Sequence, residues 1–468
     1  MKAKRLLPIL LLTLVLALSV SLLAACGHEH QYSKAITTEA TCESKGLLTY
    51  TCACGESYTE ETAALGHNLQ THQAQNANCN QVGWDAYETC TRCDYTTYAG
   101  EIPMQHNSNG TGTCLDCGLA ESTPGLTYSQ NEDGTYTVTG IGTCTETDIV
   151  IGFYNSKNVT SIGDDAFEGC NSFTSIVIPD SVTSIGNNAF KDCTSLTSIT
   201  IPDSVTTIGI SSFYNCDSLT SIVIPNSVTS IRGFAFAYCS NLTSIKVATD
   251  NPNYCSQDGN LYNKDKTKLI QYACGKTATT FTIPDSVTTI GDFAFSGCNL
   301  TSIAIPDSVT SIGGYAFEGC NSLTTIVIPN SVTSIGGYAF EYCTKLTGIV
   351  IPDSVTSIGR NAFYKCSSLT SVTIGNSVTS IGEYAFYDCD NLTSIVIPDS
   401  VTSIGRSAFY HCDNLTSIVI PNSVTSIGEY AFAYCYNLTI YCEATSKPGG
   451  WDSNWNYSNR PVVWGCKD

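Results

Sequence analysis

Positive charge is scarce in this chain of 468 residues: 21 Lys and Arg stand against 41 Asp and Glu, a formal net charge of −20. So acidic a surface repels the phosphates of nucleic acid and anionic lipid headgroups, which excludes a nucleic-acid partner. Catalytic machinery is equally sparse. No H-E-x-x-H, phosphate-binding glycine loop, paired carboxylates or nucleophile–base constellation stands out, and beyond residue 106 the sole histidine is His411. No enzyme is expected.

At the N-terminus, Lys2, Lys4 and Arg5 precede an apolar stretch from Leu6 to Leu23, which runs into Leu23-Ala24-Ala25-Cys26. A charged start, an apolar middle and small residues before a cysteine resemble the bacterial lipoprotein signal, which makes residues 1–25 a signal peptide and Cys26 the lipidated mature N-terminus. The other reading, a membrane-spanning anchor, is opposed by Pro8 and by the shortness of the stretch. Loss of Lys2, Lys4 and Arg5 leaves 18 basic against 41 acidic residues, so lipid rather than a basic patch would hold the chain to the membrane. The expected location is the bacterial cell envelope, lipid-anchored, on the extracytoplasmic surface.

Cysteine is the reverse case: the chain has 25. Those beyond Cys26 fall into three groups. The first occupies a Cys/His-rich region, residues 26–120, where Cys42, Cys52, Cys54, Cys79, Cys90, Cys93, Cys114 and Cys117 alternate with His28, His30, His67, His72 and His106. Two successive copies each carry one early cysteine, a C-x-C or C-x-x-C pair and a closing histidine, and Cys114-Leu-Asp-Cys117 begins a shortened third. A C-x-x-C knuckle puts two thiolates on one turn within reach of a tetrahedral zinc, with histidine as a further ligand. The region resembles the zinc-ribbon-like modules of some bacterial surface lipoproteins, which implies structural zinc. Disulfides are the competing reading, because an exported compartment is oxidising. Cys52-Ala53-Cys54 is one residue shorter than a knuckle.

Residues 121–160 alternate β-formers around Asn131-Glu132-Asp133-Gly134 and read as a hairpin that caps the long segment beyond it. In that segment, from 161 to 440, one phrase recurs. In Leu196 to Cys216 the apolar residues Leu196, Ile199, Ile201, Val205, Ile208, Phe213 and Cys216 fit a short strand, a turn at Pro202-Asp203-Ser204, an extended piece ending at Gly209, and a helical turn carrying Phe213. Phe167, Phe190, Phe213 and Phe236, then Phe295, Phe317, Phe340, Phe363, Phe386, Phe409 and Phe432, repeat at a period of 23 or nearly so. A second group of cysteines keeps the same period. No single copy buries its own apolar set, so the copies must stack. The coupling of L-x-x-I-x-I-P to I-x-x-x-A-F-x-x-C resembles the leucine-rich repeats of the BspA-like surface-protein family. That resemblance implies a mainly β, curved right-handed solenoid with a concave parallel sheet and short helical turns on the convex side. The repeat cysteines read as a buried, reduced column, with coils splayed too far apart for disulfides.

The period breaks at 246–281, where Asn263-Lys264-Asp265-Lys266-Thr267 reads as the turn of an inserted hairpin. Cys255 and Cys274 flank it and are expected to form a disulfide. They belong with Cys144, Cys442 and Cys466 to the third group, and Cys442 and Cys466 are a second candidate pair. Residues 441–468 gather Trp451, Trp455 and Trp464, which read either as a C-terminal cap or as a carbohydrate platform.

Binding surfaces are few. The outward strand positions, such as Ser198 and Thr200 or Thr325 and Val327, are small and uniform and lack interface anchors. Variation gathers around the A-F pair instead, at Tyr315, Tyr338, Tyr384 and Tyr430 before it and at Tyr238, Tyr342, Tyr364, Tyr387, Tyr410 and Tyr434 after it. These rings either form an avid contact surface or merely pack between coils. Adhesion through the solenoid to an extracellular protein is the first functional expectation, and the family resemblance points to host matrix or plasma proteins or other microbes. Envelope carbohydrate binding and extracytoplasmic zinc capture are the alternatives.

Overall fold

The computed structural model describes residues 30–79, 81–102, 105–106 and 112–466. The expected signal peptide, residues 1–25, and the expected lipidation site Cys26 lie outside the described residues. Contacts divide the chain into two compact units, Met1–Ala77 with Gln81–Pro103, and Asn78–Asn80 with Met104–Asp468.

The first unit is thin. Tyr32–Thr38, Gly46–Cys52 and Ser57–Thr62 form an antiparallel sheet in that order, and Leu69–His72 pairs antiparallel with Tyr87–Cys90. Tyr32–Thr38 is exposed along its whole length. Among the described residues of this unit, the buried apolar side chains are Cys42, Leu48, Cys52, Ala77 and Cys90. So small an apolar core does not hold a domain together by itself, and cysteine supplies most of it.

The second unit is a β-solenoid. The expected hairpin is present: Thr127–Gln130 and Tyr136–Gly140 pair antiparallel, and Tyr136–Gly140 then pairs in parallel with Lys157–Ile162, covering the first coil. Each coil contributes two short strands. The first, at the I-x-I positions, stacks in parallel on its equivalents, Ser175 on Ser198 and Ile176 on Ile199. The second, at S-I-G, stacks likewise, Ser184 on Thr207 and Ile185 on Ile208. Pro ends the first strand, and its carbonyl accepts the N–H of the next valine, Val205 to Pro202 at 3.1 Å. Glycine after the second strand is required by closeness: a Cβ on Gly209 would lie 2.5 Å from the backbone of Gly186 in the preceding coil.

The repeat's polar residues are consumed by the same stacking. In most coils the serine hydroxyl donates to the preceding coil's valine carbonyl, as Ser204 does to Val182 at 2.6 Å, and a threonine hydroxyl to the preceding threonine carbonyl, as Thr206 does to Thr183 at 3.2 Å. Inside, the phenylalanine rings form a stacked column; Phe317, Phe340 and Phe363 are fully buried with centroids 5.0 and 5.3 Å apart.

The helical turns expected around the A-F pair are not found. Asn188 and Asp192, Tyr338 and Tyr342, Tyr384 and Asp388, and Tyr430 and Tyr434 all have positive φ, which no α-helix accommodates. The cause is hydrogen bonding between coils: Asn188, Phe190 and Asp192 donate their N–H groups to Ile210, Ser212 and Tyr214 of the next coil. From Cys193 onward the cysteine column is buried, and apart from Cys298 it carries free thiols. Divergence of the coils does not account for this, because cysteine Cα atoms of adjacent coils come as close as 4.7 Å, at Cys274 and Cys298. From Cys193 onward each free thiol of the column donates to the carbonyl of a phenylalanine in the preceding coil, Cys216 to Phe190 at 3.1 Å and Cys343 to Phe317 at 3.1 Å.

At the interruption, Asn260–Asn263 and Lys268–Gln271 pair antiparallel around the expected turn, and Tyr254–Gln257 adds an outer strand. The expected Cys255–Cys274 disulfide is not formed: Cys274 is bonded to Cys298, and the Cys255 thiol donates to the Asn263 carbonyl at 3.1 Å. Tyr272 explains the exchange. Its N–H bonds to Ala294 and its ring packs 5.5 Å from Phe295, so it stands where a coil's phenylalanine stands and carries Cys274 onto the Cys298 position of the column. Cys442 and Cys466 are neighbours, with the Cys466 N–H bonded to the Cys442 carbonyl at 3.1 Å, and both are free thiols.

The chain's last segment extends both ladders. Gly450–Trp451 pairs with Ser426–Ile427, and Val462–Trp464 with Thr439–Cys442. Trp451 and Trp455 are buried, at 4% and 5% exposure, and Trp455 meets Phe432 edge to face. They close the column. A carbohydrate platform at these two residues is thereby overturned, since a buried indole offers no face to a sugar.

Candidate functional site

Two places gather side chains that the folding of the coils does not consume. The first is the tyrosine-bearing edge of the solenoid. The residue two places before each phenylalanine has left-handed backbone, which turns its side chain out of the coil: Tyr315, Tyr338, Asn361, Tyr384, Ser407 and Tyr430 in successive coils. Tyr315 and Tyr338 are adjacent and stack at 4.3 Å, closing the space between them. From Tyr338 onward, tyrosine alternates with a small buried residue, Asn361 or Ser407. Tyrosines two coils apart are separated by about 9.5 Å, twice the strand spacing, which leaves a slot. Two grooves result, of about 300 Å³ between Tyr338 and Tyr384 and about 360 Å³ between Tyr384 and Tyr430. The opposite wall is a ring ladder, with Tyr364 on Tyr387 at 4.9 Å and Tyr387 on Tyr410 at 4.5 Å.

Each groove holds an arginine, exposed and paired with an acid one coil on: Arg360 with Glu383 at 3.7 Å and Arg406 with Glu429 at 3.5 Å. The Arg360 guanidinium lies 5.6 Å over the Tyr384 ring. Burial, with Tyr387 and Tyr434 close by, pushes the Tyr410 phenol up to about 12, so it remains a hydrogen-bond donor at neutral pH. The four tyrosines expected as a binding surface thus divide. Tyr338, Tyr384 and Tyr430 frame grooves, while Tyr315 is packed between Phe293 and Tyr338.

The second place is the Cys/His region. Its cysteines and histidines converge in three clusters whose donor atoms lie within 4.8 Å of one another: His30, Cys52 and Cys54; Cys42, His67, Cys90 and Cys93; and Cys79, His106, Cys114 and Cys117. The grouping differs from the copies read in the sequence. Each four-residue cluster takes its early cysteine from one copy and its C-x-x-C from the next, with the histidine between. The pairs sit at hairpin tips closed by similar bonds, Cys52 N–H to Glu56, Cys90 N–H to Tyr95 and Cys114 N–H to Leu119. The shorter C-x-C pair therefore still brings both thiols to His30, at 3.4 and 3.3 Å. His72 joins no cluster and bonds Thr89 at 2.9 Å. Burial opposes ionisation of Cys90, but the Arg92 N–H and the His67 ring hold its thiol down at about 5. Burial pushes Cys42 up to about 11 and Cys79 to about 12.

Sequence comparison places the repeat. Residues 152–261, 267–389 and 356–445 match the BspA type leucine rich repeat region, in six copies. The chain belongs to the BspA-type leucine-rich-repeat family. Among solved structures it is similar to a leucine-rich repeat protein from Eubacterium ventriosum, at 31% identity and a TM-score of 0.56, covering 70% of this chain and 95% of that one. It is also similar to a leucine rich cell surface protein from Faecalibacterium prausnitzii, at 32% identity and a TM-score of 0.46, covering 74% and 97%. No curated protein matches.

Within this BspA-type array, sequence reasoning missed Arg360 and Arg406, and it noted His411 without a partner. All three meet acids displaced by one repeat: Arg360 and Glu383, Arg406 and Glu429, and His411 and Asp388, which are 3.5 Å apart. Writing the coils one above another at the 23-residue register would have found each pair.

Proposed function

We propose that this protein is a lipid-anchored component of a bacterial cell surface whose solenoid binds extracellular protein ligands through its tyrosine-lined grooves, serving adhesion and not catalysis. The alternation of Tyr338, Asn361, Tyr384, Ser407 and Tyr430 carries the reading. In most coils the serine and threonine hydroxyls donate to backbone carbonyls of the preceding coil, whereas this edge presents half-buried tyrosine rings with an arginine within reach. Tyrosine and arginine are the residues that anchor protein interfaces, and rigid rings contribute contact area at low entropic cost. Two grooves side by side favour an extended or repetitive ligand that engages both, which converts weak single contacts into avid binding. The lipobox at Cys26 supports placement on the envelope.

The test is surface-immobilised binding of the full mature chain, with Cys26→Ser for solubility, to panels of matrix and plasma proteins and of glycans. A Y384A/Y430A variant should lose at least tenfold in apparent affinity for any protein ligand found. Retention of full binding by that variant, or binding confined to glycans, would sink the reading.

A further inference from the structure

The Cys/His clusters carry an inference independent of the grooves. We infer that Cys42, His67, Cys90 and Cys93 form one tetrahedral zinc centre and Cys79, His106, Cys114 and Cys117 another, each fastening the early loop of one module to the knuckle of the next.

Four observations converge. The first is spacing. Tetrahedral zinc with Zn–S bonds of about 2.3 Å puts its sulfur ligands about 3.8 Å apart. Cys42 and Cys90 place their sulfurs 3.6 Å apart, and His67 and His106 hold Nδ1 at 3.3 and 3.4 Å from Cys93 and Cys117. These thiols stand at the edge length of a coordination shell, well beyond the roughly 2.05 Å of a disulfide.

The second is donor count. Each cluster has three thiols and one imidazole. Three cysteines leave one unpaired under any scheme of disulfides within the cluster, and such a scheme gives the imidazole no reason to face the sulfurs. Three sulfurs and one nitrogen are a closed set for structural zinc, and soft thiolates select zinc over magnesium or calcium.

Third, the histidines are oriented from behind. Each turns Nδ1 to the thiols and Nε2 to an oxygen: His106 to Asn158 at 2.6 Å and His67 to Glu43 at 3.5 Å. An acceptor behind the ring fixes the tautomer that leaves Nδ1 free to bind metal, the arrangement that supports metal-bound histidine generally. His106 is further fixed by its own N–H bond to Ser156 at 2.8 Å and by stacking on Phe153 at 4.9 Å.

Last comes need. Among the described residues of the first unit the buried apolar side chains are three cysteines, one leucine and one alanine, and ligation would supply the cohesion that burial does not. The His30, Cys52 and Cys54 cluster fits the same scheme, with three ligands among the described residues.

The experiment uses the full mature Cys26→Ser chain, purified without chelator. Elemental analysis and native mass spectrometry should find at least two zinc ions per chain, and cobalt exchange should give the visible bands and sulfur charge-transfer absorption of tetrahedral thiolate sites. That readout needs no variant and does not depend on one folding. Cys42→Ser and Cys93→Ser should each remove one ion, the double variant no more than one, and Cys117→Ser a different one. A metal-free chain whose non-reduced mass is two protons lower per cysteine pair would overturn the inference. So would removal of two different ions by Cys42→Ser and Cys93→Ser, since each module would then hold its own metal.

Discussion

Asn251 takes over, at the interruption, the work that serine does in the regular coils. Its side chain is fully buried. Its Nδ2 donates to the carbonyls of Pro225 at 2.7 Å and Val228 at 3.0 Å, and its Oδ1 accepts the N–H groups of Asn253 at 2.9 Å and Tyr254 at 2.8 Å. Asn251→Asp preserves volume and both accepted bonds while replacing the two donors with an acceptor. Two buried carbonyls then face an oxygen, each at a cost of about 1–3 kcal/mol, which gives about 3–5 kcal/mol with some relaxation. Because a repeat array opens locally, the loss belongs to the neighbouring segments and not to a single global transition. Hydrogen exchange with peptide resolution should show protection falling by about two to four orders of magnitude over 225–231 and 251–257, with coils beyond 311 unchanged. The difference should narrow at acid pH, where a protonated carboxyl regains one donor. Protection within tenfold of the parent chain, or an even loss along the whole array, would refute this assignment.

Three further outcomes are expected. Phe340→Ala, in the middle of the ring column, should destabilise its coil by about 3–5 kcal/mol, read by exchange at Phe317 to Phe363; a cost under 1 kcal/mol would mean that the column is not continuously packed. Burial first, and then the Glu318 carboxylate, push Glu341 up to about 7 from its ordinary 4.5, so the folded chain binds this proton more tightly than the unfolded one. The associated stability is fully present below about pH 4.5 and is lost as pH rises through 7; after discount for partial exposure, Glu341→Gln should gain about 1–2 kcal/mol over the parent at pH 8 and nothing at pH 4, by thermal shift at the two pH values. Non-reducing peptide mapping should recover Cys274 linked to Cys298 with Cys255 as a free thiol, and a Cys255–Cys274 peptide would contradict the placement of Tyr272 in the column.

Much of the solenoid is readable because its signal is repeated. Ile199, Ile201, Val205, Ile208, Phe213 and Cys216 are all buried, as their spacing implies, and the hairpin at 131–134 and the turn at 263–267 are where turn chemistry puts them. The misreadings share one cause. The residues within one coil imply a helical turn, whereas the N–H groups of Asn188, Phe190 and Asp192 are satisfied one coil away. Cys255 and Cys274 suggest a pair because they flank the insertion, yet Cys274 belongs in space to the coil of Cys298, 24 residues on. The Cys/His copies look self-contained when taken one at a time, and their ligands cross from copy to copy. Trp451 and Trp455 admit both a cap and an exposed platform in the sequence, because composition does not show which rings cover Phe432, the last of the column. Bonds to a neighbouring copy leave no trace in any one copy's pattern; they emerge only when copies are laid in register.

The alternation of tyrosine with a small residue has a consequence for how such an array grows. A single coil fits on any other, because its serine, threonine, glycine and cysteine each seek the same position one coil away. The grooves obey a different unit. Tyr338, Tyr384 and Tyr430 recur every second coil, and where two tyrosines fall in consecutive coils, at Tyr315 and Tyr338, they stack and leave no groove. Duplication or deletion of one coil would keep the fold and destroy the spacing of the slots, whereas gain or loss of a pair would keep both. For the fold the heritable module is one coil, and for recognition it is two.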